Sequence, residues 1–163
     1  MAKPVKPIPE GYHTVTPYLY VRGGALAIEF YKKAFNAQEL FRMPGADERS
    51  IGHAEIKIGD SVIMLADEAP AMGVRSPQTL NGNSASFLIY VENVDAAFKQ
   101  AIDAGATIDR PLENKFYGDR MGSLKDPFGH QWTLGTHIED VSHEEMSKRL
   151  AAEQARMAGK KQS

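Results

Sequence analysis

The chain has no cysteine, which removes disulfides, thiolate metal sites and thiol nucleophiles at once. It also has no apolar run approaching the roughly 18 residues that a membrane span needs. After its two lysines the N-terminus, MAKPVKPIPEG, lacks the apolar stretch of a secretion signal. Neither sign of charge is in excess: 19 basic residues against 21 acidic ones give a formal net charge of -2, which offers no basic footprint for nucleic acid. These absences predict a cytoplasmic protein that has neither a membrane nor a nucleic acid as partner.

What is present suits a soluble domain. With 163 residues, 42% hydrophobic and 25% charged, the chain can bury one core and is too short for two full-sized ones. Residues 1–11 carry three prolines and read as an extended arm. From His13 to Val21 the residues alternate, with Val15, Pro17, Leu19 and Val21 on one face and Thr14, Thr16, Tyr18 and Tyr20 on the other. That is a strand, and Pro17 points to an edge or a bulge. Ala25 to Phe35 reads as an amphipathic helix offering Leu26, Ile28, Phe30, Tyr31, Ala34 and Phe35 to the core, with Asn36 beyond its end. After Glu39 to Met43, the segment Gly52 to Asp67 forms two strands joined at Gly59-Asp60, with Ala54, Ile56 and Ile58 opposite His53, Glu55 and Lys57. The breaker-rich segment from Glu68 to Asn83 is a loop, serving as a lid or binding loop or left disordered.

The pattern then repeats. Ala85 to Val91 is a strand, Val94 to Ala104 a helix closed by Gly105, and Thr107 to Leu112 leads to a hairpin. YLYV in the first half answers FLIYV in the second, FNA answers AGA, and VIML answers QWTL, so each half reads β-α-β-β-β. A half of about 55 residues buries its helix and sheet faces poorly alone, which favours two such units packing together. From Glu139 on, Asp140 or Ser142 can cap a helix with Glu144 and Glu145 in its first turn, and the end, GKKQS, is expected to fray. This tail is either a charged, solvated helix or a capping or dimer-contact helix.

The most informative stretch is Phe116 to Leu134, FYGDRMGSLKDPFGHQWTL. Asp126 can cap its own turn, Pro127 fixes φ and Gly129 supplies the permissive corner, so the stretch is a hairpin with a decorated approach. With the repeat, it resembles the closing hairpin of the vicinal oxygen chelate superfamily, which comprises glyoxalases, bleomycin-resistance proteins and extradiol dioxygenases, and in particular its PhnB-like branch. The resemblance implies an α+β fold in which two βαβββ modules form a curved, incompletely closed mixed sheet with helices on the convex face. On that expectation residues 12–138 form one domain, with modules 12–68 and 84–138 joined by loop 69–83, between the arm 1–11 and the helix and tail 139–163.

Strand alternation then assigns the faces. Val15, Leu19, Phe87, Ile89, Ile63, Leu65, Trp132 and Leu134 go to the helices, while Thr16, Tyr18, Tyr20, His53, Glu55, Val62, Met64, Ser86, Leu88, Tyr90, Gln131 and Thr133 face the pocket. In the metal-using members four ligands come from the first and last strand of each half. The resemblance places those positions at Thr16, Met64, Ser86 and Thr133, which offer no imidazole and no carboxylate, so neither metal nor any other cofactor is expected.

Other residues are weighed by their chemistry. His53 and Glu55 share the pocket face and can act as an acid-base pair or as two metal ligands, or form a solvated polar edge beside Lys57. His130 reads as a structural hydrogen bonder. Arg120, following Phe116 and Tyr117, either brings a planar cation to the pocket mouth or forms a salt bridge with Asp119 or Glu113. The expected ligand-binding set is Tyr18, Tyr20, Met64, Ser86, Tyr90, Phe116, Tyr117, Arg120 and Thr133. Two functions follow: a metal-free homodimer that sequesters an aromatic or anionic small molecule, as bleomycin-resistance proteins do, or a lyase, isomerase or dioxygenase with a displaced or absent metal site. A methyltransferase label, sometimes attached to this branch, lacks a Gly-rich turn between strand and helix to seat a methyl donor.

Overall fold

The computed structural model describes residues 5–160. Residues 1–4 of the expected arm and residues 161–163 of the expected frayed end lie outside them. The first module runs β1 (Tyr18–Val21), α1 (Gly24–Phe35), β2 (Gln38–Pro44), β3 (Ile51–Ile58) and β4 (Ser61–Asp67). A 3₁₀ turn (Pro70–Met72) and the short α2 (Pro77–Leu80) lead to the second module, β5 (Ser86–Tyr90), α3 (Val94–Ala104), β6 (Thr107–Asn114), β7 (Asp119–Lys125) and β8 (Gln131–His137). The last element is α4 (His143–Lys160), which carries helix into Gly159 and Lys160, where fraying is expected from sequence.

The architecture is α+β, built of two βαβββ modules. Each contributes a four-stranded mixed sheet, ordered β1-β4-β3-β2 and β5-β8-β7-β6, and the two sheets do not close on one another. Register makes the repeat explicit, since Tyr18 pairs with Met64 in one parallel ladder and Leu88 with Thr133 in the other. The same superposition matches Asp67 with Thr136, and both serve a helix start. Asp67 Oδ1 accepts from the amides of Gly23 (2.7 Å) and Gly24 (2.9 Å), and Thr136 Oγ1 accepts from that of Val94 (3.0 Å). In each module the last strand thus satisfies amide groups that the helix leaves unpaired.

β1 is an edge strand, as Pro17 implies, but it is shorter than the alternation predicts. The Pro17 carbonyl accepts from Met64 N at 2.9 Å, yet the residue has no N–H to continue the ladder. The chain leaves the sheet there, and Val15, expected against the helices, is 81% exposed. Elsewhere the parity holds. Leu19, Val21, Ala54, Ile56, Ile58, Ile63 and Leu65 are buried in the first module, and Leu124, Trp132 and Leu134 in the second. Leu26 is a further exception, standing outside while Ala27 takes an inward position.

The two modules share one core. Helices α1 and α3 pack side by side, and Gln100 Nε2 donates to the Lys33 carbonyl and to Asn36 Oδ1. The Trp132 ring lies 4.9 Å from that of Phe35, 5.5 Å from Tyr31 and 5.0 Å from Phe87. Asp126 is buried beneath this cluster. Its Oδ1 accepts from the amides of Phe128 and His130, capping the turn as the sequence implies. Its Oδ2 accepts from Tyr31 Oη and Trp132 Nε1, both at 2.8 Å. A turn residue of the second module therefore anchors the helix of the first.

The segment 68–83 is ordered around a single carboxylate. Glu68 accepts from Ser76 N (2.8 Å), Thr79 Oγ1 (2.8 Å) and Arg22 Nε (3.0 Å). Gln78 and Asn83 then bind the carbonyls of Pro127 and Gly129, which fixes the segment to the hairpin turn. The Ser76 amide, followed by Thr79 and Arg22, brings the Glu68 carboxyl down to about 2. A carboxyl depressed on folding stabilises the fold above its ordinary range, and that contribution fades as pH falls from about 4.5 toward 2. Glu68→Gln should loosen the segment even at pH 7, read as faster hydrogen exchange at the Ser76 amide. If that amide stays as protected as in the parent, Glu68 does not hold the segment.

Candidate functional site

The sheet face turned away from α1 and α3 is fixed by the alternation that builds the core. In the first module it carries Tyr18 and Tyr20, His53 and Glu55, and Met64. The ladder between β2 and β3 adds Phe41 opposite Glu55 and Met43 opposite His53. Tyr18, Tyr20, Phe41 and Met43 are between 36% and 47% exposed, a concentration of apolar surface that the core does not use. The rings form a wall: Tyr18 lies 5.1 Å from Tyr20 and 5.6 Å from His53, and Phe41 lies 6.3 Å from His53.

A hydrogen-bonded chain crosses this wall. Tyr18 Oη is 2.9 Å from His53 Nδ1, His53 Nε2 is 3.2 Å from Glu55 Oε1, and Tyr12 Oη donates to Glu55 Oε2. An ionised carboxylate only accepts, so in the neutral imidazole Nε2 carries the hydrogen and Nδ1 accepts from Tyr18. Every donor in the chain therefore points toward Glu55. The Tyr12 hydroxyl holds the Glu55 carboxyl below the ordinary carboxylate range, with His53 adding to it against the opposing effect of burial. Between this face and the chain from Pro7 to Thr16 lies a cavity of about 440 Å³, lined by Tyr12, Thr16, Glu55 and Met64 among others.

The structure divides the expected ligand-binding residues among four places. Tyr18, Tyr20 and Met64 belong to the first-module face with His53 and Glu55. Ser86 and Tyr90 line a cavity of about 490 Å³ between β5 and the β3–β4 turn. Phe116, Tyr117 and Thr133 line a third cavity, about 540 Å³, on the corresponding face of the second module, where Arg156 and Met157 of α4 complete the wall. Arg120 lies at none of these. On β7 it shares the parity of Gly122 and Leu124, the helix-facing side, and its guanidinium grips Asp95 in the first turn of α3 (2.6 and 2.9 Å) and Asn114 (3.1 Å). The expected cation at the pocket mouth is thus a clamp on α3, and its partner is neither Asp119 nor Glu113.

Tyr90 is also held. Its hydroxyl donates to Asp119 Oδ2 (2.8 Å), a buried carboxylate whose other oxygen takes His137 Nδ1 (2.6 Å). His137 Nε2 reaches Asp140 Oδ1 at 3.0 Å. With a carboxylate at each nitrogen, Asp119 first and Asp140 second, the His137 pKa is raised. His130, buried, bonds the Tyr20 carbonyl through Nε2 at 3.1 Å, the structural part expected of it.

The positions that the resemblance assigns to metal ligands do not fit a divalent ion. Thr16 and Met64 line the first cavity, Ser86 the second and Thr133 the third. Thr16 Oγ1 donates to the His13 carbonyl, and Thr133 Oγ1 lies 3.0 Å from Ser123 Oγ. Hydroxyls and a thioether bring no charge to offset dehydration of the ion. Among the described residues, no three His, Cys, Asp or Glu side chains gather as a metal-holding group. His53 and Glu55 hydrogen-bond to each other, consistent with proton chemistry or polar anchoring.

Three groups at these sites escape the sequence reading. Phe41 and Met43 were legible, since period two along Glu39 to Met43 puts them together on one face. Tyr12 was not, because its contact with Glu55 spans 43 residues from within an irregular segment. The part of Arg156 and Met157 depends on how α4 docks, which helical periodicity does not state.

Comparison with known proteins adds the following. The family model described as the Glyoxalase/Bleomycin resistance protein/Dioxygenase superfamily matches residues 12–134. The uncharacterized protein Rv0887c of Mycobacterium tuberculosis is 41% identical over 142 residues, covering 85% of this chain and 83% of the relative. Among solved structures, TioX from Micromonospora sp. ML1 superposes with a TM-score of 0.61 at 24% identity, over 77% of this chain and 99% of that one. A PhnB protein from Bacillus cereus, described as a putative 3-demethylubiquinone-9 3-methyltransferase, gives 0.59 at 20% identity, over 76% and 99%. At these identities the two structures speak for the fold alone.

Proposed function

Since the chain belongs to the Glyoxalase/Bleomycin resistance protein/Dioxygenase superfamily, we propose that it is a metal-free, small-molecule-binding member that holds a planar aromatic ligand on the first-module face. The observation that carries this reading is the wall of Tyr18, Tyr20 and Phe41 rings, left half-exposed around the partly buried His53 beside a cavity of about 440 Å³. That volume lies within the range of roughly 300–1,000 Å³ usual for small-molecule sites, and aromatic walls with a few polar anchors are their common lining. The ionised group lining this cavity is Glu55, while Arg120 is engaged on the opposite side. The ligand is therefore neutral or cationic, which narrows the aromatic-or-anionic expectation. No helix among the described residues is long and apolar enough to cross a membrane, which fits a role in the cytoplasm.

A second copy of the chain is the natural cover for exposed apolar side chains outside that wall, Leu40 and Met43 among them. A thermal-shift series tests the proposal with matched cationic and anionic planar dyes, in the presence of chelator and with sedimentation equilibrium on the same samples. The cationic dye should raise the melting temperature by mass action, chelator should not alter the effect, and the species should weigh twice 17.9 kDa. Tyr18→Ala should weaken the dye's affinity about tenfold, the loss of one aromatic contact, and shrink the shift accordingly. An anionic dye bound better, or a response abolished by chelator, would overturn the reading.

The alternative, an enzyme of the same superfamily, rests on the Tyr18-His53-Glu55 chain, which can carry a proton between a phenol and a carboxylate. Ligand recovered unchanged by mass spectrometry supports sequestration, and a product supports the enzyme.

A further inference from the structure

In the first-module cavity the Glu55 carboxylate already has an aromatic hydroxyl in place, and it comes from the chain itself. Residues 5–16 form no helix or strand, and Tyr12 ties them to the sheet face through its hydroxyl on Glu55. The segment is mostly exposed, and its own hydrogen bonds are local and long, Tyr12 N to Pro9 O at 3.3 Å and Thr16 Oγ1 to His13 O at 3.2 Å. Few buried contacts and local bonding place such a segment at the low-stability end of a fold. The space of about 440 Å³ between it and the sheet is already open, with Met64 on its floor.

The direction of the donors says what the site accepts. With the His53 imidazole neutral, Tyr18 gives its hydrogen to His53 and His53 gives its own to Glu55, so the partner that can be exchanged is the hydroxyl on Oε2, which the segment 5–16 rather than the sheet supplies. A replacement must donate a hydrogen bond to a carboxylate and present a flat face to the Tyr18, Tyr20 and His53 wall. A hydroxyaromatic compound does both.

We propose that Tyr12 is an internal ligand of this site, and that the site takes a hydroxyaromatic compound whose phenolic O–H replaces that of Tyr12 on Glu55. The arm then lifts away, so binding is weakened by the competition with Tyr12 and relieved when Tyr12 is lost. This rests on the reading of the first-module face as an aromatic-binding surface.

The test uses the full chain and two probes that share a ring system, beta-naphthol and its methyl ether, followed by the change in probe fluorescence. In the parent the two should bind within about threefold of one another, because Tyr12 holds the acceptor. In Tyr12→Ala the naphthol should exceed its ether about tenfold, the measure of one hydrogen bond to a charged acceptor. In Tyr12→Ala combined with Glu55→Gln the preference should fall back below about threefold. If both probes bind every variant without preference, the aromatic face stands and the internal-ligand proposal is overturned. If neither probe binds any variant, the aromatic-face reading itself fails. If the naphthol preference survives Glu55→Gln, the hydroxyl is read by another group and the proposal is again overturned.

Discussion

Replacing Asp126 with alanine should destabilise the protein by roughly 3–5 kcal/mol, since four donors lose their acceptor together. Two of them, Tyr31 Oη and Trp132 Nε1, are buried in the core shared by the modules, and two are turn amides. Domains have about 5–15 kcal/mol of stability in all, so this one change approaches the whole margin. Asp126→Asn offers little rescue. Whichever way the amide is turned, its nitrogen faces either the Tyr31 and Trp132 donors or the Phe128 and His130 amides. Tyr31→Phe removes one donor and leaves the carboxylate three, so it should cost about 1–1.5 kcal/mol. Urea unfolding followed by Trp132, the chain's one tryptophan, reports directly on this centre. An Asp126→Ala protein within about 1 kcal/mol of the parent would mean that the modules are not joined through this residue.

The importance of Asp126 was half visible in the sequence. DPFG announces a turn, and an aspartate at its head is expected to bind the amides that follow. That its second oxygen reaches Tyr31, 95 residues earlier, is a tertiary fact that no spacing encodes. The same division runs through the rest of the molecule. Alternation separated Tyr18 and Tyr20 from Leu19 and Val21 correctly, because burial on one face of a strand is a local pattern read at period two. It failed at Val15 because the pattern presumes a ladder, and Pro17 ends the ladder by lacking a donor.

Arg120 failed for a different reason. Its neighbours Phe116 and Tyr117 suggested a shared surface, whereas its parity with Gly122 and Leu124, two and four residues on, already placed it on the helix side. Asp95, an acidic group in the first turn of α3, was a partner of the right charge on that side. Within a strand, parity rather than proximity in sequence decides which surface a side chain joins. The breakers of segment 68–83 predict a loop, ordered or disordered, and they do describe its backbone. They are silent about Glu68, whose side chain gathers Ser76, Thr79 and Arg22 into an ordered connector. The expectation that these positions hold no metal rests on donor chemistry alone: two threonines, a serine and a methionine, wherever they lie, are poor ligands for a divalent ion.

The second large effect is expected at Gly118, which decides how α4 meets the second-module cavity. Its φ of +96° lies in the region that side chains avoid, and a Cβ there would stand 2.0 Å from the Glu139 carbonyl oxygen. Its own carbonyl accepts from the amides of Ile138 and Glu139, so the glycine is the seat for the segment entering α4. Arg149 then ties the helix back to both oxygens of Glu139, its Nε held by Glu145 of the same helix. Gly118→Ala should combine backbone strain with displacement of Glu139, at about 3 kcal/mol or more in total. Gly73→Ala separates the two contributions, because its φ is +80° but no atom lies within 4 Å of an added Cβ. It should cost about 1 kcal/mol from strain alone. The loss at Gly118 should appear first as undocking, with tryptic cleavage within α4 and reduced helix content well before the Trp132 transition. Undocking removes Arg156 and Met157 from the cavity that they share with Phe116 and Tyr117, so a probe of exposed apolar surface should brighten on Gly118→Ala and not on Gly73→Ala. Equal protease resistance in the two variants would show that α4 does not depend on this seat.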